Sequence, residues 1–153
     1  IILGVKSEVA LYTEEDLIEI SHGLWEGKLE SEIRDEWSNL LTQWQNSPEE
    51  VDMPEGENIE QVAKRAINCW NKICKGLSPD ETALIVAHDA VNKTILCNLL
   101  GLTSSDIWMV KQGNGGVSVI EVADDKNEPS VISCLNLTSH LGSLIDTTAT
   151  GAL

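Results

Sequence analysis

The feature that most constrains the fold is an apolar run that ends in a histidine. Residues 83 to 87 read "ALIVA", and His88 and a helix-like segment follow at once. A continuous apolar run with β-branched residues is typical of a strand buried on both faces of a parallel sheet. Ligands bind at the carboxyl ends of such strands, where helix N-termini offer free N–H groups to anions. We therefore predict that His88 lies at a ligand site that would suit a phosphate, although a lone histidine there is more often structural.

Length and charge limit the other possibilities. The chain has 153 residues, of which 42% are hydrophobic, which is enough for one sizeable core. Its formal net charge is −15, and this argues against nucleic acid or an anionic membrane as a partner. No apolar run reaches the roughly 18 residues that a membrane-spanning helix needs. An anionic substrate would need a local positive site that works against the overall charge.

The cysteines predict neither a disulfide framework nor a metal site. They form no CxxC pair, and their spacing to the three histidines does not match a zinc ligand set. We therefore expect no metal and no cofactor, and reduced thiols in an intracellular protein, either cytoplasmic or, in a plant, in the chloroplast stroma. The four positions are Cys69, Cys74, Cys97 and Cys134.

Hydrophobic periodicity and capping signals predict the other elements. Strands are expected at 9–12, 117–123 and 130–137, the last two as an antiparallel hairpin, and helices at 29–45, from Asn58 to Gly76, and from His88 to Gly101. Residues 13–28 are predicted to be a loop with one helical turn. The order of elements indicates an α/β fold, a three-layer α/β/α sandwich with a mostly parallel sheet. The domain is expected to span 1–137, with 138–153 as a tail or linker.

Three motifs carry a resemblance to a known family. They are "LIEISHGLWEG" at 17–27, "PEGENIEQVAKR" at 54–65 and "LIVAHDAVNKTIL" at 84–96. In this order they resemble the histidine phosphatase superfamily, the phosphoglycerate mutase-like proteins. The resemblance implies that Glu19 is the proton donor, that Gly56 begins the stretch that opens a long helix, and that His88 is the second catalytic histidine.

The resemblance also implies a reaction and a set of substrate contacts. The reaction is hydrolysis of a small phosphorylated metabolite, a sugar phosphate or sugar-acid phosphate, through a phosphohistidine. Candidate substrate-binding residues are Asp89, Ala90, Trp25 and Asn114, and Trp25 with Trp37 would give the pocket an apolar lining. We expect the Asp89 side chain to face away as a helix N-cap residue. Taken alone, Trp25 would be part of a surface turn and Asn114 a turn residue.

One part of the family pattern does not occur in the sequence. There is no Arg-His-Gly, the motif that supplies the nucleophile and one phosphate-binding arginine, and no second arginine of the helix that follows it in the family. The chain also begins without an initiator methionine. The resemblance therefore implies an N-terminally truncated domain, and this chain alone is expected to be inactive.

Several functional alternatives stay open at this stage. A compact insert between Glu19 and Gly56 favours a phosphatase over phosphoglycerate mutase-type phosphoryl transfer. "HDAVNK" and "LNLTSHL" are similar to the cyanobacterial and plant 2-carboxy-D-arabinitol-1-phosphatase-like proteins. A catalytically inactive binding or dimerisation domain and a flavodoxin-like regulatory domain are the other hypotheses. Expected partners are the metabolite and either a second copy of the chain, as a homodimer, or a second domain.

Overall fold

The structure, a computed structural model, describes residues 9–123 and 128–146. Three α-helices and two β-strands lie in these ranges, joined by loops that contain short 3-10 turns. The helices are α1 (Glu30–Asn46), α2 (Ile59–Gly76) and α3 (Asp89–Leu99), and the strands are β1 (Val117–Glu121) and β2 (Val131–Leu137). Within these ranges, no helix is long and apolar enough to cross a membrane.

Helix α1 confirms the predicted amphipathic stripe. Ile33, Leu41 and Trp44 are buried in the core, and Trp37 and Leu40 pack against its edge. Trp37 interrupts the helical geometry, with φ −131° and ψ 42°, which marks a kink. The helix ends at Asn46, just before Ser47 and Pro48, because the residue before a proline is driven out of the helical region.

Helix α2 begins with the predicted capping box. The Asn58 side chain accepts the Gln61 N–H at 2.9 Å, and the Gln61 side chain accepts the Asn58 N–H at 2.9 Å. The buried face of α2 packs against α3 and completes a single core. Helix α3 is followed by Gly101 at φ +70°, which confirms the predicted glycine C-cap.

The predicted central strand is exposed instead of buried. Residues 82–87 form no helix or strand, and no main-chain hydrogen bond joins them to another segment in the described part of the chain. Ile85 and Ala87 are half-buried, whereas Leu84 is 81% and Val86 68% exposed. A strand is buried on both faces only when neighbours and helices cover it, and the described residues cover one face.

The sheet of the described residues is antiparallel. β1 and β2 form the predicted hairpin, and Ile120 and Ile132 pack on the core. A mostly parallel sheet is not seen, since residues 82–87 have no described strand beside them and 9–12 form no strand. Helices beside a small sheet still give the α/β content that the sequence predicted.

Both ends differ from expectation or lie outside the described residues. Residues 9–12 are exposed and irregular, since they too have no described neighbour to pair with. The start of the predicted tail contains a 3-10 segment, Ser139–Asp146. The predicted helix end near Gly4 and the turn at 124–127 lie outside the described residues.

Candidate active site

A cavity of about 680 Å³ lies between residues 82–88 on one side and residues 112–120, which include most of β1, on the other. Four predicted site residues line it: Glu19, His88, Asp89 and Asn114. They come from three segments that are far apart in the sequence. The cavity is therefore the place where the first and third motifs meet.

The Glu19 carboxylate bonds directly to the third motif. Its Oε2 accepts the main-chain N–H of Asp89, at the start of α3, at 3.0 Å, and its Oε1 accepts the N–H of Ile20 at 2.9 Å. A carboxylate at a helix N-terminus is favoured because the free N–H groups there carry partial positive charge. This contact brings Glu19 beside His88, the residue that precedes the helix.

The first and second motifs pack main chain against main chain. The Glu57 N–H bonds to the Ser21 carbonyl at 2.8 Å, and the Leu24 N–H bonds to the Pro54 carbonyl at 2.9 Å. A Cβ on Gly56 would lie 2.5 Å from the Ser21 oxygen. Only glycine allows this approach, so the glycine of the second motif fixes the loop that carries Glu19.

The start of α3 corrects the prediction for Asp89. His88 is the N-cap residue and makes no capping hydrogen bond with its side chain, while Asp89 is the first helical residue. The Asp89 carboxylate pairs with Lys93 at 2.7 Å, because positions four apart share a helix face. The Lys93 ammonium also lies 4.8 Å from the ring centre of Trp108. The carboxylate and the ring together stabilise the charge of this largely buried ammonium.

Two predicted substrate contacts do not reach the cavity. Trp25 is only 1% exposed, because the 3-10 turn Gly23–Trp25 directs its indole into the core. Ala90 is buried on the inner face of α3. Trp37 packs at the edge of the core with the Lys28 ammonium 5.2 Å from the centre of its ring. Neither Trp25 nor Trp37 lines the cavity, so the predicted apolar lining is wrong.

His22 is held by the core and not by the cavity. Its Nδ1 lies 3.0 Å from the Met53 sulfur, and its ring meets Trp44 edge-on, with 6.0 Å between ring centroids. Burial lowers the pKa of His22 below its ordinary 6.5, although the carboxylates of Glu19 and Glu26 act in the opposite direction.

The charge of the cavity is one-sided. Glu19 and Asp89 are acidic, and no lysine or arginine is among the described residues that line it. No group of three or more His, Cys, Asp or Glu within the described ranges could hold a metal ion. The four cysteines, all among the described residues, form no disulfide with one another. A phosphate in this cavity would therefore need cations from elsewhere.

Two residues near the site were not predicted. Arg65 ends the second motif, and its guanidinium bonds to the loop that carries Glu19. Asn136 accepts the Gly113 N–H at 2.8 Å with its side chain and so fixes the turn that contains Asn114. An arginine on an amphipathic helix looks like a solvated surface residue in the sequence, and an asparagine at a strand end carries no signal of its partner.

Known proteins are similar to this chain in sequence and in fold. The family model "Histidine phosphatase superfamily (branch 1)" matches residues 1–134. Phosphoserine phosphatase 1 of Hydrogenobacter thermophilus is 31% identical over 129 residues, which are 84% of this chain and 59% of that protein. The 2-carboxy-D-arabinitol-1-phosphatase of Triticum aestivum is 29% identical over 126 residues, which are 82% of this chain and 25% of that protein.

A solved structure extends the comparison to the fold. Bacillus stearothermophilus YhfR superposes with a TM-score of 0.81 at 26% identity, over 88% of this chain and 65% of that one. The chain thus spans less than two thirds of the length of each of these relatives. The family match covers all three motifs and every residue that lines the cavity. The chain therefore belongs to the histidine phosphatase superfamily, branch 1.

Proposed function

We propose that this chain is part of a phosphomonoester hydrolase that acts on a small phosphorylated metabolite through a phosphohistidine. The observation that carries the proposal is the hydrogen bond from the Asp89 N–H to Glu19, which unites a candidate acid with His88 on one cavity wall. The named relatives are phosphatases, and one is a phosphatase of a sugar acid phosphate. The exact metabolite is left open by the proposal.

The two side chains have different tasks in this reaction. Glu19 protonates the leaving alkoxide, which a poor leaving group requires. His88 donates a hydrogen bond to a phosphoryl oxygen and stabilises the charge that develops in the transition state. The amides at the start of α3 lie beside both groups and add donors for the phosphoryl oxygens. Asp89 and Asn114 line the same cavity and are the proposed contacts for the rest of the substrate.

The nucleophile has to come from outside the described residues that line the cavity. His88 is the only histidine among them, and the cavity has no described cation. We place the nucleophilic histidine and two arginines on a segment that precedes this chain, as the family resemblance implies. The two arginines would supply the positive charge that the described lining of the cavity lacks. The chain alone would then lack turnover.

The shape of the cavity supports the insertion of a strand. The main-chain groups of residues 82–87 have no main-chain partner among the described residues, and residues of β1, which pairs with β2, face them across the cavity. An added strand would pair with these groups, and a helix of the same segment would cover the face that exposes Leu84 and Val86. In the full domain, residues 82–87 would then be a central strand of the proposed three-layer, mostly parallel sheet.

One specific observation favours an inactive binding or dimerisation domain as the second candidate. Besides Leu84 and Val86, the hairpin exposes an apolar face, with Val119 45%, Val131 56% and Leu135 44% exposed. Such a face could bury itself against a second copy.

The compact insert between Glu19 and Gly56 and the names of these two relatives make the mutase reaction the less favoured of the catalytic alternatives.

The direct experiment compares this chain with the full-length gene product. Phosphate release is measured on a panel of sugar phosphates, sugar-acid phosphates and phosphoserine, and the phosphoenzyme is sought by mass spectrometry at alkaline pH. We expect the full-length product to release phosphate and to carry a phosphohistidine, and the chain alone to do neither. Release of phosphate by the chain alone, or an inactive full-length product, would overturn the proposal.

A further inference from the structure

Arg65 donates three hydrogen bonds to the loop that carries Glu19 and two to the carboxylate of Glu57. The guanidinium has five N–H donors in a rigid plane. The Nε and Nη2 groups donate to the two carboxylate oxygens of Glu57, each at 2.8 Å. Nη1 donates to the carbonyls of Asp16 at 2.9 Å and Ile18 at 2.7 Å, and Nη2 also reaches the carbonyl of Glu19 at 3.2 Å.

Glu57 extends this grip to the far side of Glu19. Its Oε2 accepts the main-chain N–H of Ser21 at 3.0 Å, so the pair bonds to the loop both before and after the acid. The hydrogen bonds from Arg65 lower the pKa of Glu57 below its ordinary 4.5, although partial burial acts to raise it. The Arg65 side chain is 15% exposed and the Glu57 side chain 25% exposed. The pair is thus ionised and largely shielded from water.

The Glu19 carboxylate itself has few other restraints. Within the described part of the chain, its oxygens accept hydrogen bonds only from the amides of Ile20 and Asp89. The place of the acid beside α3 therefore depends on where its main chain is held. Three carbonyls at positions 16, 18 and 19 are held by one guanidinium, and a lysine ammonium cannot reproduce that planar set of contacts.

We propose that Arg65, together with Glu57, is a positioning residue that sets the Glu19 carboxylate against the start of α3. This inference rests on the proposed function for its effect on catalysis, but the geometry that it describes does not. Arg65 and Glu57 do not line the cavity and touch no reacting atom. Their contribution is to keep the acid within reach of the leaving oxygen.

The test of catalysis uses two substrates that differ in leaving group. In the full-length gene product, Arg65→Lys should lower turnover of an alkyl phosphate about 10-fold to 100-fold more than that of p-nitrophenyl phosphate, because a misplaced acid matters only when the leaving oxygen needs a proton. Glu57→Gln should show the same bias to a smaller degree, and it carries the test if Arg65→Lys does not fold. Equal losses on both substrates would indicate a merely structural role and overturn the inference.

A matched control and a readout without catalysis complete the design. Arg34→Lys makes the same substitution in an exposed ion pair, with Glu30 on α1, and should leave the two rates unchanged. The Asp89 amide resonance, which the Glu19 carboxylate shifts, should move in Arg65→Lys in the direction seen for Glu19→Gln and stay in place in Arg34→Lys. If the full-length product is inactive, the proposed function fails, and this resonance alone decides the positioning: an unmoved Asp89 amide would refute it.

Discussion

Gly56→Ala should break the contact between the loop of Glu19 and the start of α2. The added Cβ would lie 2.5 Å from the Ser21 oxygen, 2.9 Å from the Gly23 nitrogen and 3.0 Å from the His22 carbonyl carbon. All three are main-chain atoms, so no side chain can turn aside. The loop has to move away as a unit.

The cost of this movement follows from what the contact contains. Overpacking of this kind costs about 1–3 kcal/mol. Separation of the two loops also weakens the hydrogen bonds Glu57 N–H to Ser21 and Leu24 N–H to Pro54, each worth about 1 kcal/mol. If the two weakened hydrogen bonds together lose about 1 kcal/mol, the total loss in the free energy of unfolding is about 2–4 kcal/mol.

Urea unfolding followed by tryptophan fluorescence measures this quantity. Gly76→Ala is the matched control, because a Cβ on Gly76 meets nothing within 4 Å. Gly76 ends α2, so its replacement should change stability by less than about 1 kcal/mol. If Gly56→Ala is as stable as Gly76→Ala, the main-chain packing described here is wrong.

Two further predictions concern pH and the exposed strand. Burial holds the pKa of His22 below 6.5, so that on acidification the unfolded chain binds the proton first. The contribution of His22 to the free energy of unfolding should therefore be complete above pH 6.5 and decrease as the pH falls below it. Urea unfolding at pH 7.5 and pH 5.5 measures how much the free energy of unfolding falls between the two. His22→Gln should make this fall smaller, and an unchanged fall would contradict the assignment. The double change Leu84→Thr and Val86→Thr should lower dye binding by this chain but destabilise the full-length product, where a helix of the preceding segment is proposed to cover both residues. A gain of stability in both proteins would argue against that cover.

Local signals predicted the helices and the hairpin well. The apolar spacing in α1, the Asn58 and Gln61 capping box and the glycine after α3 all act within a few residues, so the sequence carries them directly. The 82–87 segment shows the limit of this reasoning. Its composition predicts a buried strand, but burial needs neighbours, and the described residues supply them on one face only.

The sequence indicated some of the residues that meet at the cavity but not what holds them in place. Glu19, His88, Asp89 and Asn114 were all named as candidate site residues, and all four line the cavity. Trp25 could not be placed, because the direction of its indole depends on the turn at Gly23. The role of Arg65 depends on three carbonyls almost fifty positions away, a contact that no local pattern in the sequence can indicate.

The account depends most on Glu19 as the general acid, and one comparison in the full-length gene product tests this directly. Turnover at saturating substrate is measured for Glu19→Gln and His88→Ala on an alkyl phosphate and on p-nitrophenyl phosphate. Glu19→Gln should slow the alkyl phosphate by about 10² to 10⁴ and the nitrophenyl ester far less, whereas His88→Ala should slow both. Equal losses on the two substrates for Glu19→Gln would contradict the account and show that Glu19 has a structural role only.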